Sequence, residues 1–182
     1  MRLLGRRGRG HTEAVVRVAT QVSGAGQLCR FDMIESRNPE SLGLLLGARV
    51  GEVGYLGGVR ERAADGSLLF DEAEKAHPRV LDILLQLLDA ARITVATGQT
   101  LDFSGFYVWM TSNIGSAELM TLQHSNEATL ERHVLSRPQQ ALRPEIFARI
   151  NAKLVLNRLG YRQQLEIHES FLSRESQFRG PW

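Results

Sequence analysis

Two adjacent carboxylates, Asp71 and Glu72, close an apolar run that begins at Leu68. Ionised groups are costly to place beside a core, so a strand with two of them at its tip calls for a chemical reason. A magnesium ion and a water supply one: the first carboxylate supports the metal's shell and the second polarises the attacking water. The plain alternative is a strand followed by the charged start of a helix. A second pattern, Gly5-x-x-x-x-Gly10-His11-Thr12, has the spacing of a phosphate-binding loop. Its glycines, Gly8 among them, let backbone N–H groups turn towards phosphate oxygens, and the helix that follows adds the partial positive charge of its N-terminus. Thr12 is placed to bring its hydroxyl to magnesium, and Glu13 completes the candidate nucleotide-binding stretch. The lysine usual in such a loop is absent and His11 stands in its place. Imidazole is shorter and mostly neutral near pH 7, with an unperturbed pKa of about 6.5. Arg7 and Arg9 are candidates for the missing charge. The plain alternative is an arginine-decorated glycine turn.

These residues need elements to position them. Met1 to Leu4 reads as a short strand, and Val15, Val18, Ala19 and Val22 recur at helical spacing, so the chain opens as strand, glycine loop and helix. Leu28 to Met33 reads as a second strand and residues 34–46 as a helix split by Pro39. Five glycines from Gly47 to Gly58 mark a loop, and Val59 to Ala64 a short helix. Ser67 to Phe70 is the carboxylate-bearing strand. Pro78 suits a first helical turn, and Leu81, Leu84, Leu85 and Leu88 give residues 78–91 an apolar face. Ile93–Val95 and Thr100–Phe103 flank a turn as a small hairpin. Phe106 to Met110 is an aromatic strand ending in Thr111-Ser112-Asn113. Helices are expected over 117–135, 144–149 and 161–178, with a last strand over Lys153 to Leu156. The alternation predicts an α/β fold, a mostly parallel sheet covered by helices on both faces. Ligands bind such sheets beyond the carboxyl ends of the strands, where the glycine loop, Asp71-Glu72 and Asn113 all fall.

The 182 residues suffice for one domain with a core. Lys and Arg number 22 against 20 Asp and Glu, a net charge of +2, which gives nucleic acid little support as a partner. The one local excess is Arg2, Arg6, Arg7 and Arg9. A single cysteine, Cys29, excludes an internal disulfide framework. No apolar run approaches the ~20 residues that span a bilayer, and the charged start lacks the apolar segment of a secretory signal. A cytoplasmic, membrane-free protein is expected.

The blocks Leu69-Phe70-Asp71-Glu72-Ala73-Glu74-Lys75-Ala76-His77-Pro78 and Leu84-Leu85-Gln86-Leu87-Leu88-Asp89 resemble the signature of Clp-type AAA+ ATPases. The similarity is to the second ATPase module of the ClpA and ClpB unfoldases. It continues through Thr100-Leu101-Asp102-Phe103 and Met110-Thr111-Ser112-Asn113-Ile114-Gly115-Ser116, and resumes over residues 142–151. The resemblance implies a P-loop AAA+ large subdomain that uses ATP and Mg2+. It implies that Asp71 supports the magnesium shell, Glu72 activates the water, and Asn113 holds that water near the γ-phosphate. It implies that Arg149 is an arginine finger acting on nucleotide in a neighbouring subunit. A finger acting in trans implies a homo- or hetero-oligomeric ring, hexameric in the family, working on protein substrates. On the same basis residues 1–156 are expected to be the AAA+ nucleotide-binding core, short at its N-terminus. Residues 157–182 are expected to be the start of an incomplete C-terminal helical lid.

Three departures accompany the match. His11 replaces the loop lysine. The family's substrate-threading loop carries an aromatic between two glycines, whereas Gly51-Glu52-Val53-Gly54 has Glu52 there, with Tyr55 just after. The segment that usually contacts adenine and most of the lid are missing from the pattern. Two functional readings therefore stand: an ATP-hydrolysing module coupled to protein remodelling, and a nucleotide-impaired module kept for assembly or regulation. A nucleic-acid-remodelling relative has only the N-terminal arginines in its favour.

Overall fold

The computed structural model describes residues 10–24, 26–49, 51–114 and 142–154. The expected opening strand, Gly5 and Gly8, the helices over 117–135 and 161–178 and the lid segment 157–182 lie outside them. So do residues 155 and 156 of the expected last strand, while Lys153 and Leu154 have no regular structure.

The chain runs through α1 (Gly10–Ser23), β1 (Leu28–Asp32), α2 (Ser41–Leu46), α3 (Gly54–Arg62) and β2 (Gly66–Asp71). A single 3-10 turn (Ala73–Lys75) leads to α4 (Pro78–Ala90), the hairpin β3 (Arg92–Thr94) and β4 (Thr100–Asp102), β5 (Phe106–Met110) and α5 (Pro144–Arg149). β2 lies between β1 and β5, parallel to both, and β3 pairs antiparallel with β4. This is the expected α/β fold. A central parallel strand is buried on both faces and so reads as continuous apolar sequence; Leu68, Leu69 and Phe70 are all 0% exposed.

The two faces of β2 differ in chemistry. Leu68 and Phe70 face the main core, where Phe70 stacks on Phe31 at 5.1 Å between ring centroids. Val80, Leu81, Leu84 and Leu87 of α4, Ile93 and Leu101 of the hairpin, and Ile146 of α5 join the same cluster. Ser67 and Asp71 face α1. The Ser23 hydroxyl donates to Ser67 Oγ at 2.9 Å, and the Trp109 indole N–H donates to the same oxygen at 3.0 Å. Period-two alternation along the strand separates these sets.

Two helices differ from their expected limits. The segment 34–46 is helical only over Ser41–Leu46. Before it the backbone turns: Asp32 Oδ1 accepts from Ile34 N–H at 2.9 Å and Glu35 O accepts from Ser41 Oγ at 2.9 Å. Such local side-chain bonds compete with helical ones, and Pro39 has no donor to offer. Conversely, α3 starts at Gly54, inside the glycine-rich stretch expected to be loop, and ends at Arg62. Burial of Leu56, Gly57 and Val59 overrides the poor helix propensity of glycine. Gly57 is needed for close approach, since a Cβ there would stand 2.2 Å from Val53 Cγ1. No helix among the described residues is long and apolar enough to cross a membrane.

α4 follows its expected start. Pro78 occupies the first turn, and His77 caps it, with Nδ1 accepting from Arg79 N–H at 3.2 Å. It ends at Ala91 in the left-handed region, φ 50 and ψ 27, where glycine has no steric penalty. Ala91→Gly is expected to stabilise the chain by about 1 kcal/mol. Urea unfolding at neutral pH checks this, with a higher midpoint and an unchanged slope.

Candidate functional site

The site is assembled where β2 and β5 end and α1 begins. Asp71 is the last residue of β2 and is only 5% exposed. Its Oδ1 accepts the Thr12 hydroxyl from the first turn of α1 at 2.8 Å. The Thr111 hydroxyl, just beyond β5, donates to the same oxygen. The Arg30 guanidinium of β1 donates to Oδ2 and forms an ion pair with it. Burial alone would raise the pKa of Asp71, but the hydrogen bonds from Thr111, Thr12 and Arg30, with the charge of Arg30, outweigh it. The carboxyl is held below its usual 3.8.

The next residue leaves the strand. Glu72 has φ 55 and ψ 52, a left-handed conformation that is unusual for a non-glycine residue. Its N–H donates to Thr111 Oγ1 at 3.0 Å, so one hydroxyl accepts from Glu72 and donates to Asp71. Glu72 Oε1 accepts from Asn113 Nδ2 at 2.7 Å. The Asn113 N–H donates to Glu74 Oε1 at 3.2 Å, while Glu74 Oε2 is buried and has no hydrogen-bond partner. Backbone bonds close the same corner, with Thr111 N–H on Phe70 O and Ala73 N–H on Thr111 O, both at 3.0 Å.

Thr12, Asp71, Glu72 and Asn113, four of the residues singled out in the sequence, are thus brought together. Gly10 and His11 open α1; Gly5 and Gly8 are outside the described residues. Glu13 is not part of the cluster: it is exposed and pairs with Arg17 one turn along α1 at 3.2 Å. Arg149 is at the end of α5, on the apolar side of the sheet, and pairs there with Asp89 of α4. Arg143 pairs in the same way with Asp82. Glu52 folds back on its own loop and accepts from Ala48 N–H at 2.9 Å and Arg49 N–H at 3.2 Å, while Tyr55 beside it is 57% exposed.

Three residues of the cluster had no role assigned from sequence: Arg30, Thr111 and Glu74. Arg30 was the most legible of them. It stands inside Leu-Cys-Arg-Phe-Asp, in a strand of which only Phe31 is buried. In register it pairs with Leu69, on the face that carries Asp71 two residues later.

The donor set suits magnesium. It consists of a hard carboxylate oxygen and a threonine hydroxyl at a helix N-terminus, and magnesium takes few protein oxygens and leaves room for phosphate and water. Asp71 would support that ion and Thr12 would ligate it. The network also sets a pH dependence. A carboxyl whose folded pKa is depressed stabilises the fold above its unfolded pKa, near 3.8, and loses that contribution as pH falls through the lower folded value. Asp71→Asn is expected to cost about 2 kcal/mol at pH 7. The gap to wild type should narrow as pH falls below 3.8. Urea unfolding of both chains along a pH series measures it.

The family described as AAA domain (Cdc48 subfamily) matches residues 1–153. Among curated proteins, the heat shock protein 100 of Trypanosoma brucei brucei is 38% identical over 164 residues, 86% of this chain and 19% of the relative. The chaperone protein ClpB of Aquifex aeolicus is 38% identical over 178 residues, 90% of this chain and 18% of its own length. The chain therefore spans about a fifth of these relatives. Among solved structures, the extended conformation of the Saccharomyces cerevisiae Hsp104:casein complex aligns with a TM-score of 0.82 at 34% identity. That alignment covers 97% of this chain and 32% of the other. The Hsp104-ADP complex of the same yeast gives 0.80 at 34% identity, over 97% and 26%. On the match of residues 1–153, the shared sheet and the similarity to ClpB and Hsp104, the chain belongs to the AAA+ ATPases, in their Clp/ClpB branch.

Proposed function

We propose that the chain is an ATP-binding and ATP-hydrolysing module of the Clp type. The observation that carries this is the shared corner of Thr12, Asp71, Glu72 and Asn113, with Asn113 Nδ2 2.7 Å from Glu72 Oε1. Bound magnesium would neutralise charge on the phosphates and orient them. The protein's share of the work is positional. Thr12 and Asp71 hold the metal's side of the site. Glu72 accepts a proton from the attacking water, and Asn113 keeps the Glu72 carboxylate aimed at that water. Arg149 completes the charge balance from a neighbouring subunit, which makes turnover dependent on a ring. Residues 1–156 form the nucleotide-binding core and 157–182 open a helical lid. Protein substrates are the natural load, in keeping with the casein bound by the similar Hsp104.

A second reading is favoured by two specific features. His11 offers less charge and reach than lysine, and the Glu52 carboxylate is engaged with Ala48 and Arg49 instead of presenting an apolar grip. Under that reading the module has kept its fold and assembly surface but uses nucleotide poorly.

Nucleotide binding and steady-state hydrolysis, measured with the oligomeric state in the same preparation, separate the two. If the chain is an ATPase, Glu72→Gln keeps ATP binding and loses hydrolysis by about a hundredfold or more. If wild type binds no ATP with magnesium while His11→Lys does, the impaired reading holds instead.

A further inference from the structure

The phosphate loop has lost its lysine, yet the site has a cation that the loop does not supply. Arg30 approaches from β1, and its only partner among the described residues is Asp71 Oδ2. The other oxygen of that carboxylate accepts the Thr12 hydroxyl at 2.8 Å. The guanidinium is thus one carboxylate's width from the threonine that follows His11 in sequence. Its exposure differs from that of its partner, the Arg30 side chain being 48% exposed and that of Asp71 7%. The acid is sealed into the fold, while the base stands at its open margin.

We propose that Arg30 is a nucleotide-binding residue that directs positive charge at the outer phosphates of ATP in place of the lysine that His11 replaces. The inference rests on the nucleotide-site reading above. Guanidinium stays charged at any working pH, whereas a free imidazole has an unperturbed pKa of about 6.5. Its five N–H donors form a planar fork, of which Nη2 is the one on Asp71. The remainder can meet a phosphate oxygen while the carboxylate is still held, as a single ammonium does less well. The Arg30 side chain is 48% exposed, so the donors not engaged by Asp71 are open to a triphosphate. Strand register favours the same assignment. Arg30 sits beside Leu69 on the α1 face of the sheet, the face from which Asp71 meets Thr12 two residues further along β2.

The test is equilibrium binding of ATP and ADP, with magnesium, to the whole 182-residue chain. Arg30→Gln is expected to weaken ATP on the order of tenfold and ADP much less, as for loss of one charge-assisted bond to the outer phosphates. Arg30→Lys should fall between the two, and a His11→Lys change added to Arg30→Gln should restore preference for ATP. Thermal unfolding without nucleotide reads the structural share of the ion pair separately. An unchanged ATP-to-ADP preference in Arg30→Gln, with or without lost stability, overturns the inference and leaves the nucleotide site standing. Should Arg30→Gln not fold, the same comparison is made on Arg30→Lys, where an unchanged preference is equally decisive. If no chain binds either nucleotide, His11→Lys included, the site reading fails and this inference with it.

Discussion

An ionised carboxylate has been placed at the tip of the most buried strand, and the rest of the site is arranged to keep it there. Asp71 is surrounded by protein, so its charge has to be met by donors and not by water. Three donors reach it, and each arrives on a different element: Thr12 on α1, Arg30 on β1 and Thr111 after β5. Meeting that one charge ties α1, β1 and the residue after β5 to the tip of β2. The site is a junction, and its precision comes from the number of independent elements that share one anion.

The junction is possible because the sheet has two unlike faces. Towards α4 and α5 it is packed with Phe31, Leu68 and Phe70. Towards α1 it carries a polar track, Ser67 with Ser23 and Trp109 at one end and Asp71 with its donors at the other. Stability is drawn chiefly from the first face and chemistry from the second. The pairs Arg143–Asp82 and Arg149–Asp89 fasten α5 along α4 on the far side of the sheet. They hold Arg149 on the face of the sheet opposite Asp71.

Much of this was legible in the chain itself. β2 was visible as an unbroken apolar run, α4 through Pro78 and its leucines, and the hairpin through its turn. Asp71, Glu72 and Asn113 were visible because they stand at or just after strand ends. What escaped the sequence was contact between elements. Arg30 looked like an ordinary charge until β1 was set in register with β2, and Thr111 like a strand-end residue until its hydroxyl was found between Glu72 and Asp71. α3 was hidden because glycine signals flexibility locally, whereas Gly57 is there to let Val53 come close. The turn before α2 was hidden because its bonds run from side chains to backbone.

The left-handed backbone of Glu72 has a consequence for where charge can be sent. Along an extended strand successive side chains alternate. A residue following Asp71 in regular geometry would point to the face of Leu68 and Phe70, into apolar packing. The αL step removes position 72 from that alternation and returns its carboxylate to the polar edge beside Asn113. Two neighbours in sequence can then work side by side in space. A glycine would adopt this conformation more cheaply, but it would bring no carboxylate. The position retains a charged side chain in a conformation suited to glycine, so local comfort and usefulness are opposed at this one residue.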